Sequence, residues 1–402
     1  MRNGSLGKKT VRDIDVKGKR VLVRVDYNVP LDKDTGAISD DIRIRASVPT
    51  IRYLLDEGAS VILCSHFGRP KGEVVEDMRL KPIVQPLSRH LGLGVTYLMD
   101  CIGAEVAQAV DSLRPGQVIL LENVRFHAGE EKNDPAFARE LASLADVYVN
   151  DAFSAAHRAH ASTEGVAHVL PSVVGLALEK ELEMLGGALG SPARPLAAVI
   201  GGAKVSDKIA VLEHLADQVE VLAVGGGMVA TLLKAGGANV GGSPVEEDYL
   251  EVSRRLIARS QSGSLKLLLP TDVVAAESFA KDADFRAVPV DQIPDGWLIL
   301  DIGPESAEAY ASELAGCRTV VWNGPMGVFE WEAFAWGTRR VAQALADLQG
   351  KATTIVGGGS TAEAVQAFGV DRALSHVSLG GGASLEFLEG KVLPGLAALP
   401  DK

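Results

Sequence analysis

Residues 196–209 read LAAVIGGAKVSDKI, which joins a short apolar run to two glycines and two lysines four positions apart. The run 196–200 is β-rich and uninterrupted, so it predicts a strand buried on both faces of a parallel sheet. Ser206 or Asp207 is suited to cap a helix beginning near Val205, and the free N–H groups of such a helix would bind an anion. The segment therefore indicates a phosphate site, although a tight turn with two solvated lysines accounts for the same pattern.

The length and composition indicate a globular protein of two domains. A chain of 402 residues exceeds one ordinary core, and its 47% hydrophobic and 23% charged residues are typical of soluble proteins. Cys64, Cys101 and Cys317 are too few and too scattered to predict a disulfide framework or a cysteine metal site. The N-terminus lacks the apolar core of a signal peptide and no run approaches a membrane span, so we expect a cytoplasmic protein.

The charge is unevenly distributed along the chain. The net charge of −12 argues against a nucleic-acid partner. Residues 1–170 hold 22 Lys and Arg against 23 Asp and Glu, whereas the remainder holds 18 against 29. Six of the eight histidines also lie in the first part. The first half therefore has more groups that can bind an anion.

The first half alternates apolar runs with helical patterns such as residues 45–57 and 134–144. The predicted strands cover residues 19–25, 59–64, 117–121 and 146–149. This βαβα order predicts a parallel sheet with helices on both faces, and ligands bind beyond the carboxyl ends of such strands. The polar side chains that follow the four strands are Asp26, Asn28, His66, Arg69, Arg125, His157, Arg158 and His160, and Arg43 lies in the loop after the first strand.

Several arginines on one rim predict a site for a small phosphorylated or carboxylated molecule, because the guanidinium fork matches those groups. Any one of them alone is more typical of a surface ion pair. His157 and His160 have a spacing that metal ligands use, but no third Cys or His ligand follows in a pattern, so we do not predict a metal there.

The second half repeats the strand-and-helix order with glycines after its strands. Residues 172–189 have a helical period and precede a Gly/Pro break, which predicts a helix connecting two domains. Five predicted strand ends then carry glycine, at residues 201–202, 225–227, 303, 324–327 and 357–359. Five such turns on one edge indicate a backbone-lined pocket for a nucleotide.

These patterns leave three kinds of function open. A Walker A loop is absent, but GxGxxA occurs at residues 225–230 and 357–362, with Glu246 or Glu247 near the distance expected for a ribose-binding acid. The alternatives are a two-domain phosphotransferase, an NAD-dependent dehydrogenase and a binding protein that closes on a ligand without chemistry. Lys204 and Lys208 favour the first, because they suit terminal phosphates and would crowd a dinucleotide.

The assembled motifs resemble those of the phosphoglycerate kinase family nearly from end to end. VLVRVDYNVP at residues 21–30 is similar to a signature of that family. DDIRIR, SHFGRP, LLENVRFH, NDAFSAAHRAH, GGAKVSDKI, WNGPMGVFE and GGGASLE follow in the family's order.

The resemblance implies an α/β fold with two doubly wound parallel-sheet domains. Residues 1–172 would bind phosphoglycerate, 173–189 would form the interdomain helix, 190–384 would bind the nucleotide, and 385–402 would return to the first domain. It implies reversible in-line phosphoryl transfer from 1,3-bisphosphoglycerate to ADP with domain closure, giving 3-phosphoglycerate and ATP. It also implies Mg²⁺ with the nucleotide and a monomer without nucleic-acid or membrane partners.

The resemblance also implies roles for individual residues. Arg43 would contact the reacting carboxylate, and Lys208 would follow the phosphoryl group. The phosphoglycerate site would comprise Asp26, Asn28, Arg43, His66, Phe67, Gly68, Arg69, Arg125 and Arg158. The nucleotide site would comprise Lys204, Lys208, Gly226, Gly227, Gly303, Asn323, Glu330, Gly357, Gly358, Gly359 and Ser360.

Two positions depart from the family's pattern. The family usually has Asp after the three glycines, where it helps to hold Mg²⁺, but this chain has Ser360. A neutral hydroxyl is a weaker ligand for a hard cation, so weaker MgADP binding is expected. Leu379 replaces a usual Thr near the expected hinge, which predicts altered closure. Phe67, Ser154 and Met326 are milder changes.

Overall fold

The computed structural model describes residues 7–32, 34–263 and 265–402. By its internal contacts the chain divides into two units, one extending to Glu183 and including Val392–Lys402, the other comprising Met184–Lys391. Each unit is built on a six-stranded parallel sheet, so the predicted α/β class with two parallel-sheet domains is confirmed. The functional boundaries at residues 172, 189 and 384 stay predictions. Among the described residues, no helix combines the length and the apolar character required to cross a bilayer.

The first unit alternates short buried strands with helices. Its elements are β1 (Arg20–Arg24), α1 (Ile42–Asp56), β2 (Ser60–Cys64), α2 (Val84–Leu91), β3 (Val95–Tyr97), α3 (Ala104–Asp111), β4 (Val118–Leu120), α4 (Ala128–Glu131), α5 (Pro135–Ala142), β5 (Val147–Asn150), β6 (Ser172–Val174) and α6 (Leu176–Gly190), which continues into the second unit. The strand order is β3-β4-β2-β1-β5-β6, with every pair parallel. This order places the ends of β4, β2, β1 and β5 side by side, as the sequence predicted for the polar residues.

Strand β6 corrects the helix predicted over residues 172–189. Ser172–Val174 pairs with Tyr148–Asn150 of β5, and α6 begins only at Leu176. Two adjacent valines suit a pleated, buried strand, and pairing with a distant segment decided their conformation. Gly175 separates the two elements, and a Cβ there would lie 2.2 Å from Asp151 Oδ1.

The last residues of the chain pack against the first unit. The Gly395 N–H donates to Ala156 O at 2.9 Å, and Asn150 Nδ2 donates to Gly395 O at 3.2 Å. Lys8 Nζ donates to Leu399 O at 2.6 Å. The short helix α14 (Pro394–Ala397) lies in this segment, which therefore completes the first unit rather than the second.

The second unit contains a parallel sheet and a smaller antiparallel one. Its elements are β7 (Leu196–Ile200), α7 (Ile209–Ala216), β8 (Val221–Val224), α8 (Val229–Ala235), α9 (Leu250–Gln261), β9 (Lys266–Leu268), β10 (Asp272–Ala276), β11 (Phe285–Pro289), β12 (Leu298–Ile302), α10 (Pro304–Leu314), β13 (Thr319–Asn323), α11 (Trp336–Ala346), β14 (Thr353–Gly357), α12 (Gly359–Ala367), β15 (His376–Val377) and α13 (Gly382–Leu388). The main order is β15-β14-β13-β7-β8-β9, so β7 lies centrally, with each of its residues buried.

The prediction that all five glycine-bearing strand ends lie on one edge is wrong for one strand. Strand β12, which precedes Gly303, pairs with β10 in the order β11-β10-β12 and not with the parallel sheet. The glycine-bearing strand ends therefore do not all share one edge, as the sequence had indicated. Period and glycine position cannot distinguish these sheets, because pairing is a long-range property.

Asp151 makes the stability of the first unit depend on pH. Its Oδ1 accepts hydrogen bonds from the N–H groups of Ala177 and Leu178 at 2.9 and 3.2 Å, in the first turn of α6. Burial raises the pKa of this carboxyl to about 7, against the lowering effect of Thr50 and the two amides. The folded chain therefore holds a proton that the unfolded chain loses at lower pH, so this contribution to stability declines as pH rises towards 7 and is constant above it.

We expect Asp151→Asn to remove this dependence, because the amide oxygen can still accept from α6 and no charge forms. Relative to wild type, the variant should gain about 2–3 kcal/mol in free energy of unfolding between pH 5 and pH 8. Urea unfolding followed by circular dichroism at both pH values measures this difference, in which the other titrating groups cancel. An equal difference at the two pH values would contradict the prediction.

Candidate active site

The carboxyl end of β1 brings Asp26 into contact with Arg43 of α1 and with Ser154, which follows β5. Arg43 NH1 donates to Asp26 Oδ2, and the Ser154 hydroxyl donates to the same oxygen. Asp26 Oδ1 accepts from the Asn28 N–H at 2.9 Å. Arg43 lies in the first turn of α1 and not in a loop, which corrects the sequence interpretation, since the helix begins three residues earlier than its apolar period indicated.

The loop after β2 is held between β1 and β4. Asn28 Oδ1 accepts from the Gly68 N–H at 2.9 Å, and Arg125 NH1 donates to Gly68 O at 2.8 Å. Phe67 is bound by Asn123, whose Oδ1 accepts from its N–H at 3.2 Å and whose Nδ2 donates to its carbonyl at 2.7 Å. This loop therefore ties Asn28 to Arg125, whereas Arg69 next to it is exposed.

His66 lies buried among four guanidinium groups. Burial lowers the pKa of its imidazole well below the usual value, and Arg24, Arg125, Arg43 and Arg158 lower it further. Its Nδ1 lies 3.2 Å from Arg24 NH2. Because a guanidinium only donates, Nδ1 is the acceptor and the proton of the neutral ring is on Nε2. His66 can therefore donate one hydrogen bond without adding a charge.

The clustered arginines form an electropositive site. Burial lowers the pKa of Arg125 to about 10, and the neighbouring Arg158 and Arg24 contribute in the same direction. Burial also lowers the pKa of Arg43. Cations that disfavour one another in this way are stabilised when an anion binds between them. The arrangement is therefore suited to a phosphate or carboxylate, as the strand ends predicted.

Arg24 is a residue of this site that the sequence interpretation missed. It is fully buried inside β1, and its Nε donates to Ser162 Oγ at 2.9 Å. Ser162 Oγ in turn donates to Glu130 Oε1 at 2.6 Å, so a buried carboxylate compensates the buried cation. The signal was a charged residue inside the apolar run LVRV, which periodicity treated as an ordinary strand position.

The two histidines on either side of Arg158 contact different partners. Arg158 Nε donates to His157 Nε2 at 3.1 Å, whereas His160 Nδ1 lies 3.7 Å from Glu130 Oε1. The described residues bring three ligand atoms within 4.8 Å of one another only at Asp100, Cys101 and His127.

Sequence spacing could not find this cluster, because His127 is far from the other two residues along the chain. His127 Nε2 lies 2.6 Å from Asp100 Oδ1, so mutual pairing accounts for these two side chains, and Cys101 is a fully buried thiol beside them.

In the second unit, the glycine turn after β7 differs from the prediction. Helix α7 begins at Ile209, four residues later than expected, and neither Ser206 nor Asp207 caps it. The N–H groups of Val205 and Ser206 donate to Glu246 Oε2 at 2.5 and 3.1 Å. The amides that a phosphate was expected to use are thus bound by a carboxylate of this chain.

Lys208 is directed to the end of the neighbouring strand β13. Its Nζ donates to Asn323 Oδ1, and Asn323 is buried. Burial lowers the pKa of the Lys208 amine, against the raising effect of Asp207 and Glu389. Lys204 is exposed on the same loop. Of the two predicted lysines, Lys208 is therefore partly desolvated and bonded to Asn323, whereas Lys204 is exposed to solvent.

The glycine turns approach one another closely around these lysines. Gly226 has φ +75°, and a Cβ there would lie 2.5 Å from Gly202 O. Gly358 has φ +92° and lies beside Asn323, so a Cβ would be 3.2 Å from Asn323 Nδ2. Gly227, Gly357 and Gly359 belong to the same turns, and nothing lies within 4 Å of a Cβ at Gly359. No side chain caps α12 at Gly358, so its first amides are not bound by a capping side chain.

Gly303 and Glu330 lie apart from those contacts. A Cβ at Gly303 would lie 2.1 Å from the carboxylate of Asp272, which accepts from the first turn of α10. Glu330 is exposed, and the nearby Val328 N–H donates to Leu300 O of β12 at 2.9 Å. Both residues thus adjoin the antiparallel sheet.

Comparison with known proteins identifies the family. The family model described as phosphoglycerate kinase matches residues 11–391. This chain belongs to the phosphoglycerate kinase family. It is 58% identical to phosphoglycerate kinase of Moorella thermoacetica, over 99% of this chain and all of the relative. It is also 58% identical to that of Synechococcus elongatus, over 98% of this chain and all of that protein.

Two solved structures of phosphoglycerate kinases are similar to this chain over nearly its whole length. Phosphoglycerate kinase from Coxiella burnetii is 40% identical with a TM-score of 0.88, and that from Pyrococcus horikoshii is 33% identical with a TM-score of 0.83. Each comparison covers 97% of this chain and 98% of the other. The chain is thus a phosphotransferase with a carboxyl group as acceptor. The comparisons give no support to the dehydrogenase or the non-catalytic binder. Glu246, a candidate ribose-binding acid in the sequence, is hydrogen-bonded to the loop that carries Lys204 and Lys208.

For a phosphoglycerate kinase, the residues that follow the glycine turn at 357–359 are poor Mg²⁺ ligands. Ser360 is exposed and neutral, and Thr361 Oγ1 already accepts from the Gly324 N–H at 2.7 Å. Mg²⁺ prefers carboxylates and phosphates, and neither side chain supplies one. The residues present do not fit a metal site built by the protein. Leu379 is half-buried in the loop after β15.

Proposed function

We propose that this chain catalyses reversible phosphoryl transfer between 1,3-bisphosphoglycerate and MgADP, giving 3-phosphoglycerate and MgATP. The observation that carries the proposal is the set of four guanidinium groups around neutral His66. Such a site suits a small, multiply charged anion. The full-length family match supplies the reaction class. A cytoplasmic location and a monomeric state are proposed with it and stay predictions.

The first unit would hold the phosphoglycerate. Arg125 and Arg158 would bind its non-reacting phosphate together with Arg69, Asp26 would accept from its single hydroxyl group, and Asn28 Nδ2 would donate to the oxygen of that hydroxyl. The contacts of Asp26 and Asn28 with Arg43 and Gly68 support this, because they preorganise the oxygen and nitrogen atoms concerned. Arg43 would neutralise the reacting carboxylate. His66 would donate its Nε2 proton.

The second unit would hold the nucleotide. Lys204 would contact the nucleotide phosphates, and the turn at Gly357, Gly358, Gly359 and Ser360 would also contact the nucleotide. The adenosine site would be lined by Gly226, Gly227, Gly303, Asn323 and Glu330. Lys208 would stay with the phosphoryl group as it moves. Its burial beside Asn323 supports this role, because a desolvated ammonium interacts more strongly with developing negative charge.

The chemistry requires positioning more than proton transfer. In the direction of ATP synthesis the bond from the acyl oxygen to phosphorus breaks, and a bond from the ADP β-phosphate oxygen to phosphorus forms. The acceptor is already an anion in either direction, so no general base is needed. Arg43 and Lys208 would stabilise charge on the transferred group, and the two substrates must meet in line with water excluded.

Initial-rate ATP consumption with 3-phosphoglycerate, coupled to reduction of the acyl phosphate, tests the proposal. We expect turnover that requires both 3-phosphoglycerate and Mg²⁺. Reactions lacking either one are the controls. Absence of turnover by folded protein that still binds MgATP would contradict the proposed function, and NAD reduction with hydroxy acids would favour a dehydrogenase instead.

Replacing Ser360 with Asp should strengthen MgADP binding. A carboxylate at this exposed position would add a charged ligand for the nucleotide-bound metal, which is worth about tenfold in affinity. Calorimetric titration with MgADP measures the change. The control is a titration with ADP in the presence of a chelator. Without the metal, the added negative charge should weaken ADP binding. Unchanged MgADP affinity in the variant would contradict the prediction.

A further inference from the structure

Glu246 is the main external support of the loop that carries Lys204 and Lys208. Its Oε2 accepts from the Val205 and Ser206 N–H groups at 2.5 and 3.1 Å, and its Oε1 accepts from the Ser206 hydroxyl at 2.5 Å. Helix α7 does not satisfy these amides, because it begins only at Ile209. The carboxylate therefore takes the place of a helical turn between the two lysines.

The loop has its own turn, which Glu246 fixes from outside. The N–H groups of Lys208 and Ile209 both donate to Val205 O, at 2.9 and 2.8 Å. The side chain of Val205 is fully buried, which anchors the same residue on its other side. Val205 thus sets the direction of Lys208, and Glu246 holds the amide of Val205. A shift at this residue would move the cation bound to Asn323.

Glu246 also connects the lysine loop to the next glycine turn. Its own N–H donates at 3.1 Å to Oγ1 of Thr231, a buried residue of α8. Helix α8 begins after the turn at Gly226, and the Met228 N–H donates to Gly202 O at 3.1 Å. The segment around Glu246 is therefore bonded to the Lys204–Lys208 loop and to the helix that follows the Gly226 turn.

The electrostatics favour the ionised form of Glu246. Burial alone would raise the pKa of this carboxyl, but the contacts with Ser206 and Val205, together with the charge of Lys204, lower it below the usual value. A carboxylate is an acceptor at both oxygens, which matches three converging donors. Hydrogen bonds to an ionised acceptor are also stronger than neutral ones.

We propose that Glu246 is a positioning residue for phosphoryl transfer, which orders the Lys204–Lys208 loop through the amides of Val205 and Ser206. The inference rests on the proposed function for the role of the lysines. It assigns Glu246 no contact with substrate. Its effect should appear in nucleotide binding and turnover, whereas the phosphoglycerate site in the other unit should keep its affinity.

Glu246→Ala should lower kcat/KM for the nucleotide by about a hundredfold, the effect of a catalytic group misplaced by about 1 Å. Glu246→Gln should recover most of the activity, because one amide oxygen can accept from both N–H groups while Nε2 donates to the Ser206 hydroxyl. The matched control is Glu247→Ala, which removes the exposed neighbouring carboxylate and should leave activity unchanged. Equal activity of wild type and Glu246→Ala would overturn the inference.

Combining Glu246→Ala with Lys204→Ala tests whether the residues act together. If Glu246 acts by ordering this loop, the double variant should be far less impaired than the product of the two single effects. Multiplying effects would overturn the inference, as would an activity loss equal to the unfolded fraction. Ser206→Ala removes one of the three hydrogen bonds and is the substitute variant if Glu246→Ala does not fold. It should give an intermediate loss.

Hydrogen exchange separates this inference from the proposed function. The amides of Val205 and Ser206 should exchange faster in Glu246→Ala than in wild type, and the Gln variant should restore protection. This readout does not depend on turnover. If wild type fails to transfer phosphate but these amides lose protection, the proposed function fails and the ordering role stands. Unchanged exchange would overturn the role of Glu246.

Discussion

Replacing Lys208 with Ala is expected to lower kcat for phosphoryl transfer by at least about a hundredfold, as the loss of a preorganised charge implies. The amine is partly desolvated and donates to Asn323 Oδ1, so its position is fixed before substrate binds. The Lys208 side chain passes alongside the glycine turn, since a Cβ at Gly202 would lie 3.4 Å from Lys208 Cε. Alanine removes the charge and leaves Asn323 without this partner.

The comparison that isolates this effect uses two other lysines of the same unit. Lys204→Ala should cost less than Lys208→Ala, because Lys204 is exposed and its charge is screened. Lys234→Ala, on an exposed position of α8, should match wild type. Steady-state kcat and KM for MgATP are measured for all three. A higher KM with unchanged kcat in Lys208→Ala would mean that Lys208 only binds the nucleotide, contrary to the proposed mechanism.

The clustering of the polar first-unit residues could be predicted because parallel sheets impose a simple rule, whereas the roles of these residues stay predictions. Side chains after consecutive strands meet at one edge, so Asp26 and His66 could be placed near Arg125 from their positions alone. The observed bonds among these loops agree with that placement. The rule does not extend inside the strands, where Arg24 was missed, since a buried guanidinium needs its partners Ser162 and Glu130, which are distant in the chain.

The second-unit site was predicted less completely because its loops are shaped by long-range contacts. The loop before α7 is bonded to Glu246, which lies about forty residues beyond Val205 in the chain. The separate sheet of β12 depends on pairing with β10. In both cases a long-range contact accompanies a structure that differs from the one the local sequence pattern favours. Glycine turns could be found from sequence, but which of them face one another could not.

Replacing Gly201 with Ala should unfold or severely destabilise the second unit. The backbone after β7 crosses the backbone after β13 at this point, and a Cβ at Gly201 would lie 2.0 Å from Pro325 O and 2.5 Å from Gly324 O. The Gly201 N–H also donates to Asn323 O at 2.9 Å. Moving the two backbone segments apart would therefore break a hydrogen bond at the end of the β7–β13 pair. Rotating a side chain cannot relieve contacts with main-chain atoms. We expect a loss of about 3 kcal/mol or more.

Tryptophan fluorescence during urea unfolding measures this change, because all four tryptophans of the chain lie in the second unit and Trp322 is fully buried. The matched control is Gly187→Ala in α6, where nothing lies within 4 Å of the added Cβ. There alanine should stabilise the helix by about 0.5–1 kcal/mol. Any folded Gly201→Ala protein should also lose activity, because the strained crossing adjoins Asn323 and therefore Lys208. An unchanged unfolding midpoint would show that the two loops can separate freely, and would contradict the tight crossing from which the prediction is derived.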